Sequence, residues 1–187
     1  PMITSIPEIV YLAPTNVEEY FAMMDWALNQ NEHKVAIRVP TYSYEHSKGE
    51  VDTDYSDLNK FKVVKEGKDV AVIAAGDFFV KGESVVDALA EKGINATLIN
   101  PRFVSGVDTE LLNSLRQNHK VVVVLEDGSK EGGFGGRIAQ AVGATGMKCL
   151  TYGLEKKFVD RYNPEELEKA YRLTVPQIVE DTLNALK

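Results

Sequence analysis

The sequence contains few of the residues that mark several common protein classes. Its 187 residues include one cysteine and three histidines, and the formal net charge is -7. A single cysteine excludes an intrachain disulfide framework. The acidic balance, without a basic stripe, makes nucleic acid and anionic membranes poor partners. No stretch reaches the roughly 18 apolar residues of a membrane-spanning helix, and no secretory signal is visible, so we predict a cytoplasmic protein.

The scarce reactive side chains offer little chemistry. Cys149 lies in an apolar run that reads as a strand, and free cysteine usually packs as a small hydrophobe, so we predict a buried, inert thiol. His33, His46 and His119 are far apart and have no carboxylate or cysteine at ligand spacing. We interpret each histidine as a surface residue and expect no metal site in this chain.

Three segments of the chain differ in pattern. Residues 1–40 read as strand, helix and strand, residues 41–66 as a polar linker ending in an edge strand, and residues 67–187 as alternating strands and helices. This alternation predicts an α/β fold with a mostly parallel sheet between two helical layers. The first segment is too small to bury its own apolar faces, so we expect it to pack against the rest of this chain or against portions that the sequence does not include.

The first helix is predicted over residues 16–30. Thr15 and Glu18 have the spacing of a capping box. The apolar stripe at helical spacing comprises Val17, Tyr20, Phe21, Met24 and Ala27. Met23 and Trp26 fall off that stripe, so we expect this incomplete segment to leave them exposed.

A carboxylate pair follows the most apolar strand, which is predicted over residues 121–125. Glu126 and Asp127 are adjacent, so their side chains point to opposite faces and do not form a shared-proton dyad. Ligands of open α/β sheets bind at the carboxyl ends of strands. We therefore predict that one carboxylate faces a crevice or partner and that the other, Glu126, fixes the following loop.

The glycine-rich turn over residues 128–136 precedes a helix predicted from Arg137 onward. Free backbone amides before a helix hold anions, which favours a phosphate site. The glycines, however, lack the GxGxxG spacing, and no Walker lysine is present. We favour tight turning and close helix-to-strand packing as the role of this turn, with anion binding as the alternative.

Two arginines lie in or after predicted strands. Arg38 falls inside the apolar run over residues 35–40, and a charge there needs a partner. Either it forms a structural ion pair, or it binds a phosphate or carboxylate, which its planar fork suits. Arg102 follows another strand, and we interpret it as structural.

Four motifs resemble, in order, those of transketolase-like enzymes, and most closely those of the 1-deoxy-D-xylulose-5-phosphate synthases. They are IRVP at 37–40, INPRFVSGVD at 99–108, VVLEDGSKEGGFGGRIAQAV at 123–142 and YGLEKKFVDRYNPEEL at 152–167. The resemblance implies that residues 1–40 end a pyrimidine-binding domain and that residues 67–187 form a transketolase-like C-terminal domain.

The sequence departs from the synthase motifs at several positions. Val39, Thr41 and Tyr42 stand where the synthases have the tyrosine, second arginine and glycine of IRYPRG. Ser105 and Gly106 replace the lysine and proline of RFVKPLD. These changes leave the donor and acceptor substrates open.

The resemblance implies a thiamine diphosphate-dependent and magnesium-dependent transferase that moves a two-carbon unit from pyruvate to glyceraldehyde 3-phosphate with decarboxylation. In such enzymes the cofactor and its metal are held by portions that this sequence does not include, so no catalytic or cofactor-binding residue maps here. Arg38 alone matches a substrate contact, to the acceptor's phosphate. We expect the missing N-terminal and pyrimidine-binding portions as partners, a homodimer, and a chain that is inactive alone.

Three alternatives remain. A transketolase and the beta subunit of a 2-oxoacid dehydrogenase share this kind of C-terminal domain. A non-catalytic interaction module is the third, and the expected exposure of Met23 and Trp26 weighs against it.

Overall fold

A computed structural model describes residues 2–40, 45–159 and 163–187. The strands are β1 Ile9–Leu12, β2 Lys34–Ile37, β3 Lys62–Lys65, β4 Asp69–Ala74, β5 Thr97–Asn100, β6 His119–Ser129 and β7 Lys148–Leu154. The helices are α1 Val17–Asn29, α2 Phe79–Ala90, α3 Thr109–Leu115, α4 Phe134–Val142, α5 Pro164–Ala170 and α6 Val175–Leu186. Thr41, Tyr42 and the part of the fourth motif at 160–162 lie outside the described residues.

A five-stranded sheet in the order β3-β5-β4-β6-β7 forms the main body. Only β3, at one edge, runs antiparallel to its neighbour. The four valines at 121–124 are each 0% exposed, because one apolar cluster with α3 and α4 covers one face and another with α2 and α6 covers the other. The predicted α/β fold with a mostly parallel sheet and an edge strand is confirmed.

A separate two-stranded parallel sheet joins β1 and β2. Its β1 strand is attached to the segment after β5 by two backbone bonds: Ala13 N–H donates to Arg102 O at 2.8 Å, and Val104 N–H donates to Tyr11 O at 2.8 Å. This attachment brings the carboxyl end of β2 towards the carboxyl ends of the main sheet.

The buried face of α1 differs from the predicted one. Met23 is 0% exposed and Trp26 packs partly buried beside it, whereas Phe21 and Leu28 are 56% and 76% exposed. The prediction that Met23 and Trp26 stand exposed is wrong. The reason is tertiary: Tyr55 and Phe103, far along the chain, form the cluster onto which this side of α1 packs.

The start of α1 also differs from the prediction. Asn16 is the N-cap, and its Oδ1 accepts from Glu19 N–H at 2.8 Å. Glu19 reaches back to accept from both the N–H and the hydroxyl of Thr15. The predicted capping box used Glu18, which instead points outward and accepts from Ser47 N–H at 2.6 Å.

Four further local predictions are corrected. Arg38 follows β2 rather than lying inside it, and β6 continues to Ser129. Helix α4 begins at Phe134 rather than at Arg137, because the glycine turn is shorter than its composition suggested. His119 is buried at the start of β6, where its Nε2 lies 2.8 Å from Thr97 Oγ1, so it is not a surface residue.

No helix in the described ranges is long and apolar enough to cross a membrane.

Candidate functional site

The carboxyl ends of three strands converge beside the glycine-rich turn. Arg38 follows β2, Asp77 lies in the short 3-10 helix Gly76–Phe78 after β4, and Glu126 and Asp127 lie in the last part of β6. In parallel sheets this edge is where ligands bind. One cation therefore faces three carboxylates at the position that the strand-end rule predicts.

Glu126 closes the start of helix α4. The residue is buried, with 5% of its surface exposed. Its carboxylate accepts hydrogen bonds from Phe134 N–H at 2.9 Å and from Gly135 N–H at 2.8 Å. Burial raises the pKa of Glu126 above its ordinary value, while the two N–H donors act in the opposite direction. The predicted role of Glu126 in fixing the loop is confirmed.

The glycine turn packs tightly around that carboxylate. A side chain at Gly133 would lie 2.5 Å from Glu126 Oε1, and one at Gly153 would lie 2.8 Å from Gly128 O. Gly132 has a φ of 72°, in the left-handed region that favours glycine. Since the amides of Phe134 and Gly135 are bound to Glu126, the packing interpretation of this turn is supported over an anion site.

Asp127 points the other way and binds Arg38. Arg38 Nη2 lies 2.6 Å from Asp127 Oδ1, and the two side chains are 32% and 23% exposed. The pair joins the small sheet to the main sheet, and planar guanidinium groups suit such charge-assisted contacts. The sequence allowed two roles for Arg38, a structural ion pair or a contact with an anion. The structure shows the ion pair, with Asp127, and this pair lies within the site.

Asp77 completes the cluster. Desolvation by neighbouring groups, followed by the negative charge and hydrogen bond of Asp127, raises the pKa of Asp77 to about 6, and Arg38 acts in the opposite direction. Like charges held close together disfavour ionisation of both. Asp77 thus belongs to the same charged cluster as Asp127, and sequence reasoning had not identified it.

We expect Asp77→Asn to change how stability depends on pH. A raised pKa means that Asp77 binds more protons in the folded state than in the unfolded state, so the contribution of Asp77 to stability falls as pH rises from about 4 to about 6. The variant cannot ionise and should exceed the wild type above that window by about 1 kcal/mol at most, because the residue is exposed and screened. Urea unfolding followed by circular dichroism across this range measures the difference.

Asp54→Asn serves as a control with the opposite sign. The Ser56 N–H donates to Asp54 at 3.0 Å and lowers the pKa of Asp54, so this variant should lose stability relative to the wild type as pH rises towards about 4, and the two profiles should run parallel from about pH 4 to pH 6. Parallel pH profiles for the wild type and Asp77→Asn would contradict the assignment of a raised pKa.

The other candidate residues lie away from the cluster. Arg102 donates from Nη2 to Lys60 O at 2.6 Å and pairs with Asp52 at 3.1 Å, which confirms its structural interpretation. Cys149 is half-buried rather than buried as predicted, and this burial raises the pKa of its thiol to about 11, which agrees with the predicted lack of reactivity. Among the described residues, no group of three or more His, Cys, Asp or Glu side chains could hold a metal ion.

Two cavities accompany these residues. One of about 50 Å³ lies beside Arg38, Glu126 and the glycine turn, well below the roughly 300 Å³ of small-molecule pockets. The other, of about 430 Å³, lies between α1 and α2. The buried polar side chains at its floor bind each other, because Asn100 Nδ2 donates to Glu19 Oε1 at 2.9 Å. The chemistry therefore points to the smaller cavity, although the larger one has more space.

Sequence reasoning missed two polar features of the structure for different reasons. Asp77 directly follows Gly76 at the end of a buried strand, so the strand-end rule that was applied to Glu126 and Asp127 would have found it. The buried Glu19 with Asn100 had no such signal, because the two residues are 81 positions apart and meet only through the fold.

Comparison with known proteins gives a consistent result. Residues 59–178 match the family described as transketolase, C-terminal domain. The 1-deoxy-D-xylulose-5-phosphate synthase of Clostridium acetobutylicum is 32% identical over 178 residues, which cover 94% of this chain and 29% of the relative. The synthase of Crocosphaera subtropica is 32% identical over 182 residues, which cover 94% of this chain and 28% of the relative. The chain thus spans under a third of these relatives.

Solved structures share the fold. A structure described as a split gene transketolase, inactive beta4 tetramer, superposes with a TM-score of 0.82 at 24% identity, covering 99% of this chain and 60% of that one. The transketolase from Campylobacter jejuni gives a TM-score of 0.72 at 15% identity, covering 98% of this chain and 27% of that one.

Proposed function

Because this chain belongs to the transketolase family through its C-terminal domain, we propose that it is the C-terminal part of a thiamine diphosphate-dependent enzyme of the 1-deoxy-D-xylulose-5-phosphate synthase type. The observation that carries this proposal is the 32% identity that runs through 94% of the chain. The reaction would decarboxylate pyruvate and transfer the two-carbon unit to glyceraldehyde 3-phosphate.

The cofactor would be held by other portions of the enzyme. Bound thiamine diphosphate supplies an electron sink, and its diphosphate needs a magnesium ion with oxygen ligands. Glu126, the most buried carboxylate at the strand ends, is committed to the amides that start α4. The described residues also offer no group of metal ligands. These residues do not fit the cofactor's diphosphate, so we derive no step through it.

The contribution of this chain to substrate binding would come from Arg38. Its guanidinium lies at the carboxyl end of β2, is 32% exposed and borders the small cavity. Planar guanidinium groups bind phosphate by paired charge-assisted hydrogen bonds. We propose that Arg38 contacts the acceptor's phosphate and that the remaining wall of the pocket comes from the other portions.

The other role would be assembly. Phe21 and Leu28 are 56% and 76% exposed on the outer side of α1, an apolar face that suits a contact with the missing portions or with a second copy in a homodimer. The structure that is most similar in fold among those compared above is described as an inactive tetramer, which supports the proposal that this kind of portion is inactive alone.

We expect isothermal titration calorimetry to detect no binding of thiamine diphosphate to the 187-residue chain in the presence of magnesium. The physical reason is the lack of free metal ligands in the described residues. The full-length gene product serves as the positive control. Stoichiometric, magnesium-dependent binding to the chain alone would contradict the proposal.

Activity of the full-length gene product separates the synthase from its relatives. With pyruvate and glyceraldehyde 3-phosphate it should release carbon dioxide and form a five-carbon ketose phosphate. Transfer from a ketose donor without carbon dioxide release would indicate a transketolase, and a requirement for a lipoyl acceptor would indicate a 2-oxoacid dehydrogenase.

A further inference from the structure

The larger cavity, of about 430 Å³, has an apolar wall and an acidic floor. Val64 on β3 and Val80 on α2 are exposed on this wall, and the half-buried Phe79 lies beside them. The floor is formed by Glu19 and Asn100, each 4% exposed. Cavities above roughly 300 Å³ bind small molecules by apolar contact and by a few polar groups that fix the orientation of the ligand.

Glu19 is a buried carboxylate whose bonding partners are all neutral. Its Oε2 accepts from the N–H of Thr15 at 2.7 Å and from the hydroxyl of Thr15 at 2.8 Å, and its Oε1 accepts from Asn100 Nδ2 at 2.9 Å. Arg102 acts on Glu19 only through space, because its guanidinium is bound to Asp52. A buried charge is costly when no cation lies against it, so a cation in the cavity would stabilise this carboxylate.

Glu19 also keeps one acceptor position for a further donor. An ionised carboxylate has about four lone-pair sites, two on each oxygen. Oε2 uses both of its sites, whereas Oε1 has one donor in the described part of the chain. Because Glu19 lines the cavity, an occupant that carries an N–H group is positioned to supply the missing donor.

The two lysines that line the cavity are already paired with other carboxylates. Lys48 Nζ lies 2.8 Å from Glu83 Oε2, and Lys62 Nζ lies 3.0 Å from Asp52 Oδ1. Neither lysine is bonded to Glu19. The cation that this carboxylate calls for is therefore not supplied by the lysines around it.

The other charged groups around the cavity favour a cation over an anion. Glu45 and Glu50 are exposed among the lining residues, and His46 lies 2.7 Å from Glu18 Oε1. Helix α1 begins here, and Glu18 and Glu19 in its first turn offset the positive end of its dipole. Carboxylates that line a cleft attract cations and repel anions.

We propose that this cavity binds an organic cation, whose ammonium or guanidinium group donates to Glu19 Oε1 and whose short apolar body lies against Phe79 and Val80. Two sources share this chemistry: a free alkyl amine, and a lysine or arginine side chain from another portion of the full-length enzyme. The proposal goes beyond the proposed function and does not depend on phosphate binding by Arg38.

Butylammonium is the probe for the test, and butan-1-ol, which has the same alkyl chain without the charge, is its matched control. Both are titrated into the 187-residue chain at pH 8 and constant ionic strength, and binding is followed by NMR. Alkylammonium groups stay charged at this pH, and burial raises the pKa of Glu19, so a more acidic solution would favour its neutral form. We expect saturable binding of butylammonium that is about tenfold tighter than that of butan-1-ol and that shifts the methyl signals of Val64 and Val80.

Three variants locate the binding. Glu19→Gln should weaken butylammonium binding about tenfold, because the charge is lost. Val80→Trp fills part of the cavity from an exposed position and should weaken binding severalfold with Glu19 intact. Glu110→Gln removes an exposed carboxylate on α3, outside the cavity, and should retain the wild-type affinity. Wild-type affinity in both Glu19→Gln and Val80→Trp, equal affinities for the two probes, or no saturable binding would overturn the proposal.

The full-length gene product distinguishes the two sources of the cation. If it binds butylammonium as the 187-residue chain does, the occupant is a free amine. If it does not bind, its own lysine or arginine fills the cavity, and Glu19→Gln should then destabilise the full-length product more than the shorter chain, because that cation loses its partner. Absence of binding together with equal losses of stability in the two proteins contradicts the proposal.

Discussion

Glu126→Ala is expected to lower the free energy of unfolding by about 3 kcal/mol, because two buried N–H groups lose their acceptor and a helix loses its N-terminal anion. The carboxylate is the partner of Phe134 N–H and Gly135 N–H, at 2.9 Å and 2.8 Å. The N-cap residue, Gly133, has no side chain that could take over this role. Chemical denaturation at neutral pH measures the loss.

Two variants make this experiment specific. Glu126→Gln keeps one acceptor oxygen but presents its amide NH₂ to the second backbone donor, so the loss should be intermediate. Glu131→Ala removes an exposed carboxylate from the same loop and should change stability by about 0.5 kcal/mol at most. Equal losses from Glu126→Ala and Glu131→Ala would show that the carboxylate does not fix the start of α4.

Gly133→Ala is expected to destabilise the protein by about 3 kcal/mol through overpacking. The added methyl group would lie 2.5 Å and 2.8 Å from the two Glu126 carboxylate oxygens and well inside van der Waals contact of Ser129 O. Ser129 pairs with Leu154 in the β6–β7 ladder, so its backbone cannot easily give way. The substitution must therefore displace Glu126 or distort the turn.

Gly136→Ala provides the matched control in the same glycine cluster. The nearest atom to its added methyl group is Lys130 O at 3.8 Å, an ordinary contact, and the position is exposed in the first turn of α4. Alanine has the higher helix propensity, so this variant should be neutral or gain up to about 1 kcal/mol. Thermal unfolding of both variants tests the contrast. A stable Gly133→Ala protein would show that the turn has room for a side chain.

The exposure of α1 changes how one alternative is weighed. The sequence argument against a free-standing interaction module rested on exposed Met23 and Trp26, but Met23 is 0% exposed. Phe21 and Leu28 carry the exposed apolar surface instead. Measurement of the oligomeric state and of hydrophobic dye binding thus remains informative, with Phe21 and Leu28 as the residues to substitute.

The sequence by itself determined the fold class and the position of the site. Apolar runs separated by helical periodicities specify strands and helices locally, and parallel strands put their carboxyl ends at one edge. Glu126 and Asp127 were therefore identifiable as strand-end residues, Arg38 was identifiable as a charge in an apolar run that needs a partner, and the order of the motifs indicated the transketolase family. These signals are local, so they survive without knowledge of distant contacts.

Only the tertiary structure decided which groups meet. The buried side of α1 depends on Tyr55 and Phe103, and helical spacing cannot say which of two apolar faces finds that cluster. Asp77, Asp127 and Arg38 come from three strand ends that are far apart in sequence, and their shared electrostatics exist only after those ends converge. Charge coupling depends on distance and solvent exposure, which the order of residues does not contain.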